Sequence, residues 1–332
     1  MGSPGQREGG EGLIEIHNLT KKYGSHIAVD HLSFQVERGK IYGFLGPNGA
    51  GKTTTMNMIT GYIGATEGEV RINGYDILES PEQAKKCIGY LPEIPPLYMD
   101  MTPNEYLKFV AELKGIGRDE REAMIRDIME TTKITDVQHR LIKNLSKGYR
   151  QRVGLAQALI GYPEVIILDE PTVGLDPKQI IEIRDLIKSL GDRHTVILSS
   201  HILSEVSAVC DHVLIISKGK LVASDRPENL SAHLAEKMQL SLTIMGEERL
   251  IRETLRLMPE IRKYEIHHSV EDGAWDIELT AGEQTDIRKK LFSEFAKLEY
   301  PILKMQSSGK SLEDVFLELT QDEQATNGKE EA

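Results

Sequence analysis

Eight consecutive residues constrain this chain more than any others: Gly46-Pro47-Asn48-Gly49-Ala50-Gly51-Lys52-Thr53. They fit the pattern G-x-x-x-x-G-K-[ST] in full. The run Ile41-Tyr42-Gly43-Phe44-Leu45 precedes them and reads as a strand, and a helix is predicted over Thr54–Thr60. A strand, a glycine-rich turn and a helix in that order wrap backbone N–H groups around an anion, with the partial positive charge of the helix N-terminus behind them. Lys52 then supplies a point charge to β- and γ-phosphate oxygens, and Thr53 a hydroxyl to Mg²⁺. Thr54, at the start of the helix, completes the predicted phosphate-binding set. A chance glycine-rich turn would not sit between a strand and a helix.

A second run, Val165-Ile166-Ile167-Leu168, ends in Asp169-Glu170. Two carboxylates at the end of a buried strand stand where open α/β sheets place their ligands. Asp169 suits a metal held through water, and Glu170 suits an attacking water that must lose a proton. Such a pair is also common in solvated loops, but the phosphate loop earlier in the chain favours the functional reading. Val196–Leu198 and Val213–Ile216 add further apolar strand candidates, so a parallel sheet buried on both faces is expected. The stretch from about 97 to 160 differs. Its amphipathic candidates Glu105–Leu113 and Arg121–Thr132 predict a helical insert in the α/β core.

Composition removes several classes. The 332 residues carry 40 Lys and Arg against 52 Asp and Glu, a formal net charge of −12, which argues against a nucleic-acid partner. No apolar run exceeds four residues, whereas a membrane-spanning helix needs roughly 20. No charged segment followed by an apolar stretch opens the chain, so a secretory leader is not expected. Cys87 and Cys210 are the only cysteines, and neither has clustered His nearby. A reducing, cytosolic compartment fits that usage.

Other motifs follow in order. Leu145-Ser146-Lys147-Gly148-Tyr149-Arg150-Gln151-Arg152 places a good N-cap, Ser146, before a helical run. With the two nucleotide motifs it resembles the signature sequence of ABC ATPases, usually written LSGGQ. Ser146 and Gly148 match that pattern, while Lys147 and Tyr149 depart from it. Val173-Gly174-Leu175-Asp176-Pro177 is similar to the family's D-loop, and Ser199-Ser200-His201 to its switch histidine. Tyr23 matches the aromatic that stacks on adenine. The resemblance covers residues 13 to about 225 and implies a P-loop NTPase core of the ABC ATPase type, binding ATP and Mg²⁺. It implies two copies packed head to tail, with the Gly46–Thr53 loop of one facing Ser146 and Gly148 of the other. Glu93 stands where most ABC ATPases have Gln. It is read as a metal ligand and γ-phosphate sensor, the other reading being a base that competes with Glu170.

After Pro227 the texture changes. Strand candidates Met238–Met245, Arg262–His268, Ala274–Thr280 and Ile302–Gln306 interleave with helix candidates Glu248–Met258 and Gln284–Leu298. The order βαββαβ predicts a small α+β ferredoxin-like domain over residues 229–320, after an ATPase domain over residues 13–228. Residues 1–12 and 321–332 read as disordered tails. A last helix, Ser311–Leu319, looks like the C-terminal helix of ABC-2-type exporter ATPases, and Gly89-Tyr90-Leu91-Pro92-Glu93 with the signature from Leu145 to Arg152 resembles the subset labelled gliding-motility or multidrug. The resemblance therefore implies an ATPase subunit on the cytosolic face of the plasma membrane, driving a separate ABC-2-type permease and paired with itself or a related ATPase. One cassette per chain disfavours a ribosome-acting ABC protein. The closeness of Lys52 to Asp169 disfavours a DNA-repair one, and the lack of Asn-Lys-x-Asp disfavours a GTPase. The C-terminal domain is read as added dimer surface or, alternatively, a regulatory ligand site.

Overall fold

The computed structural model describes residues 12–234, 239–282 and 287–307. The chain divides into two compact units, one ending at Pro227 and the other beginning at Glu228.

The first unit opens with β1 (Ile14–Tyr23) and β2 (His26–Val36), an antiparallel pair in which Tyr23 faces His26 across the Gly24-Ser25 turn. Next, β3 (Ile41–Leu45) runs through the glycine-rich loop into α1 (Lys52–Ile59). β4 (Glu67–Ile72) and β5 (Tyr75–Asp76) complete an antiparallel sheet of order β2-β1-β4-β5. α2 (Pro81–Lys86) precedes β6 (Ile88–Leu91), and α3 (Pro103–Leu113), α4 (Arg118–Thr131) and α5 (Lys147–Leu159) form the helical segment. The chain continues through β7 (Val165–Asp169), α6 (Pro177–Gly191), β8 (Thr195–Ser200) and α7 (Leu203–Val209). β9 (His212–Ser217) and β10 (Lys220–Asp225) follow, and α8 (Pro227–Leu234) starts on the last residue of this unit and continues into the second.

The second sheet has the order β10-β9-β3-β8-β7-β6, parallel except for β10 at its edge. Every residue of β3, β7 and β8 is buried, which is why their sequences are continuous apolar runs rather than alternations. The register then fixes the site. Leu45 pairs with Ser200, Asp169 with Ser199 and Leu91 with Leu168. The loop after β3, the carboxylates ending β7, the histidine after β8 and Glu93 after β6 thus all emerge at one edge of the sheet.

Helix starts differ from the sequence expectation. α1 begins at Lys52 rather than Thr54 because Gly51, at φ 99°, turns the chain straight into helix. α3 begins at Pro103 rather than Glu105. Thr102 Oγ1 accepts the Glu105 N–H at 3.3 Å and Glu105 Oε2 accepts the Thr102 N–H at 2.9 Å. That reciprocal pair is a capping box, and Pro103 suits the first helical position. α4 starts at Arg118 after Gly117, three residues earlier than Arg121.

The second unit runs β11 (Gln239–Met245), α9 (Glu248–Arg256), β12 (Ile261–His268), β13 (Ala274–Ala281), α10 (Arg288–Lys297) and β14 (Ile302–Ser307). Its order β12-β13-β11-β14, with every neighbour antiparallel, is the ferredoxin-like arrangement of βαββαβ. Alternation works simply here: Leu240, Leu242 and Ile244 of β11 meet Ile277 and Leu279 of β13. Ile251 and Leu255 of α9 and Leu291 and Phe295 of α10 cover them. The expected helix Ser311–Leu319 and both tails, apart from Gly12, lie outside the described residues. Phe295 is fully buried at 0% exposure, so Phe295→Ala should destabilise this unit by about 3–5 kcal/mol. Thermal unfolding checks this, and an unchanged profile would mean that α10 does not seal this core.

Candidate nucleotide site

Close backbone approach shapes the glycine-rich loop. A Cβ on Gly46 would lie 2.4 Å from the Ile216 carbonyl oxygen, and one on Gly51 would lie 2.5 Å from that of Ala28. Gly51 also holds a left-handed φ of 99° and gives α1 no side-chain cap. The first-turn N–H groups are therefore left to whatever anion the loop embraces. Lys52 is buried at 6% exposure. Its Nζ donates to the carbonyls of Gly46 at 2.8 Å and Pro47 at 3.2 Å, and lies 3.5 Å from Glu170 Oε1. The ammonium is thus held over the loop by groups it can exchange for phosphate oxygens.

A cavity of about 480 Å³ opens at this edge. Its wall takes Tyr23, His26 and Ala28 from the β1–β2 hairpin, and Asn48, Gly49 and Gly51–Thr54 from the loop and α1. Glu93, Glu170, Val173 and His201 come from the strand ends. Tyr23 is 51% exposed with Lys21 Nζ 5.2 Å from its ring centre, leaving an open aromatic face for a base. Gly46, Pro47 and Ala50 belong to the loop without lining the cavity; two of them hold Lys52 through carbonyls.

The carboxylates are differently bound. Asp169 is buried, its Oδ1 accepts from Ser199 Oγ, and its Oδ2 has no hydrogen-bond partner. A buried carboxylate oxygen left unpaired is costly unless something else meets it. Asp169 shares a second cavity, of about 660 Å³, with Thr53 and Glu93. These three oxygen donors suit a hard cation. Among the described residues no group of three or more His, Cys, Asp and Glu forms a protein-only metal cage. A cation here would accordingly take other ligands from phosphate and water, as Mg²⁺ does. Tyr90 also lines this cavity. Burial first and the Asp169 charge second push its phenol well above its ordinary value, so it remains a hydroxyl.

Glu170 carries a left-handed φ of 47°, and its Oε2 lies 2.9 Å from His201 Nδ1. This pairing holds the carboxylate towards the phosphate loop. Ser146 caps α5, accepting the Tyr149 N–H at 3.3 Å, and Asp176 caps α6, accepting the Gln179 N–H at 2.9 Å. The Gln179 side chain packs directly on Gly148. Ser146, Gly148 and Asp176 do not line the phosphate cavity of their own chain. Sequence reasoning missed His26, Ala28 and Val173. His26 was findable as the cross-strand partner of Tyr23, and Val173 by its place three residues after Glu170. Ala28 presents its backbone carbonyl closely to Gly51, which no side-chain pattern announces.

A phosphate cradle at the carboxyl edge of a parallel sheet, faced by two carboxylates and a histidine, defines a nucleoside triphosphatase of the phosphate-loop class. Residues 29–173 match the family described as ABC transporter. The chain is 37% identical over 309 residues to the bacitracin transport ATP-binding protein BcrA of Bacillus licheniformis, covering 92% of this chain and 97% of that protein. It is 30% identical to the linearmycin resistance ATP-binding protein LnrL of Bacillus subtilis, covering 93% and 98% respectively. A solved ATP binding subunit of an ABC transporter superposes with TM-score 0.61 at 29% identity, covering 67% of this chain and 92% of that one. A dimeric ATP-binding cassette in a post-hydrolysis state, bound to ADP and Pi, gives 0.59 at 25% identity over 64% and 98%. The chain belongs to the ABC transporter ATP-binding proteins, and it is an ATPase.

Two outcomes follow from this geometry. Lys52→Ala removes the ammonium from the cradle, and charged hydrogen bonds contribute about 1.5–3 kcal/mol. ATP affinity should fall roughly 10- to 100-fold, with hydrolysis lost as well; near-normal binding of a fluorescent nucleotide would contradict the assignment. Glu93→Gln keeps one oxygen donor and removes a charge. A Mg²⁺ titration should show an altered metal requirement and a turnover change below about 10-fold. A dead Glu93→Gln enzyme would make Glu93 the base instead.

Proposed function

We propose that this protein is the ATPase subunit of an exporter whose channel is a separate ABC-2-type permease, and that two copies close head to tail around two ATP. The observation that carries the reading is the place of Glu93, which lines both cavities. One side of it meets the phosphate cradle. The other meets an apolar hollow whose rim bears Ile94 at 81% and Tyr62 at 79% exposure. A protein partner seated there would touch the residue that faces the γ-phosphate, which couples a membrane subunit to hydrolysis. Among the described residues no helix is long and apolar enough to cross a membrane, which is compatible with attachment to the cytosolic face through that partner. The named transport and resistance roles of the relatives favour export of a bulky antibiotic-like molecule.

Thr53, Glu93 and Asp169 would hold Mg²⁺, which when bound neutralises charge on the β- and γ-phosphates. The remaining work falls to the chain. Tyr23 stacks on the adenine, and the N–H groups at the start of α1 with Lys52 fix the phosphates in line for attack. Glu170 takes a proton from the water that attacks the γ-phosphorus as ADP leaves, and His201 orients that carboxylate. Ser146 and Gly148 lie outside the cavity of their own chain, and a second copy would bring its α5 N-terminus to the exposed side of the γ-phosphate.

Glu170→Gln should bind ATP but hydrolyse it at least ~10²-fold more slowly, as loss of a positioned proton acceptor does. Size exclusion with ATP should then show a trapped dimer. A monomer under those conditions would favour pairing with a related ATPase. Copurification of the full chain with a polytopic membrane protein supports the transport reading, whereas recovery with ribosomes or DNA overturns it. Tyr62→Asp with Ile94→Asp should break that copurification while leaving nucleotide affinity intact.

A further inference from the structure

Behind the Glu170–His201 pair lies a buried carboxylate to which the mechanism above gives no role. Glu205, in the first turn of α7, is 4% exposed. Its Oε2 accepts from Thr172 Oγ1 at 2.5 Å and from Ser200 Oγ at 3.3 Å. Its Oε1 lies 3.9 Å from Arg184 Nη2 on α6, and Arg184 Nε is itself buried without a partner. Thr172 stands two residues after Glu170, and Ser200 immediately precedes His201. One carboxylate therefore ties the turn carrying the candidate base to the turn carrying its histidine. A carboxylate accepts only, so it matches two hydroxyl donors from two different turns.

The fold alone does not call for this charge. Replacing a buried ion pair with well-packed apolar groups is often neutral or stabilising, and the surrounding sheet is already closed by continuous apolar runs. The two turns are otherwise joined near this point by the Glu170 N–H to the Ser199 carbonyl at 3.2 Å. That bond aligns the backbones, and the Thr172 hydroxyl adds a side-chain tie from the turn after Glu170. Val173 N–H bonds back to the Glu170 carbonyl at 3.2 Å, so any shift of Thr172 moves Glu170 with it.

We propose that Glu205 is a positioning residue for ATP hydrolysis: by clamping Thr172 to Ser200 it holds Glu170 within hydrogen-bonding distance of His201. The proposal rests on the Glu170–His201 reading, and the experiment separates the two. ATPase kinetics and nucleotide affinity are measured on the full chain for Glu205→Gln, Thr172→Val, Thr172→Ser and His201→Ala, and for Glu205→Gln combined with His201→Ala. Misplacing a reacting group by about 1 Å can cost 10²-fold. Glu205→Gln and Thr172→Val should therefore lower kcat by roughly 10-fold or more while KM and ATP affinity stay unchanged. Thr172→Ser, which keeps the hydroxyl, should recover what Thr172→Val loses. The double variant should be little worse than His201→Ala alone, because groups acting through one another are not additive. An unchanged kcat in Glu205→Gln or Thr172→Val overturns the proposal. So does a proportional loss of kcat and affinity, or a fully additive double variant. A fully active His201→Ala sinks the pair reading instead, and the kcat of Thr172→Val then still decides whether the clamp matters. Should Glu205→Gln fold poorly, Thr172→Val alone carries the decision, since it deletes one hydroxyl at nearly constant volume.

Discussion

The structure depends on a place where the backbone has no room for a side chain. The loop between β3 and α1 passes so near the Ile216 and Ala28 carbonyls that neither Gly46 nor Gly51 can carry a Cβ. This closeness aims the start of α1 at the end of the sheet. It also leaves the first-turn amides without a side-chain cap, so the anion-attracting start of α1 is built from main chain and fixed by packing. The carboxylates, the histidine and Glu93 are placed relative to it by strand register, while the β1–β2 hairpin brings Tyr23 from the other sheet.

That register explains why residues far apart in sequence converge. The parallel pairing of β3 with β8, β8 with β7 and β7 with β6 brings four strand ends to one edge. Each end is followed by one polar group with a separate task. Burial on both faces makes the strands stiff, and the chemistry is carried where they stop. Asp169 shows the boundary well, since it is the last residue of β7, buried yet with one oxygen unpaired.

Much of this arrangement was legible in the amino-acid order. Phosphate loops, acidic strand ends and a histidine after a strand are local patterns, and their order along the chain encodes which strand ends they occupy. The C-terminal unit was legible because Leu240, Leu242 and Ile244 alternate with polar residues, and helices of the right period lie between such strands. What sequence did not disclose depends on partners. Ser199 is an ordinary serine until register sets its hydroxyl on Asp169. Glu205, among Ser204, Val206 and Ser207, reads as a solvated helix residue, yet it is enclosed by Thr172, Ser200 and Arg184. Helix starts shifted for a related reason: the capping box at Thr102 and the left-handed Gly51 act through backbone geometry that apolar periodicity does not record.

The left-handed backbone of Glu170 has a consequence of another kind. At φ 47° a side chain with a Cβ meets a penalty that glycine would escape, on the order of 1–3 kcal/mol for a residue held in such a region. Backbone conformation alone would favour glycine at this point, and the carboxylate, with its Lys52 and His201 contacts, is kept against that preference. With Glu170 as the base proposed above, selection for stability alone, as in a screen for heat resistance, would therefore push this position away from activity. Variants recovered that way would be firmer proteins and poorer ATPases, which makes position 170 a marker for which of the two properties a lineage has been under pressure to keep.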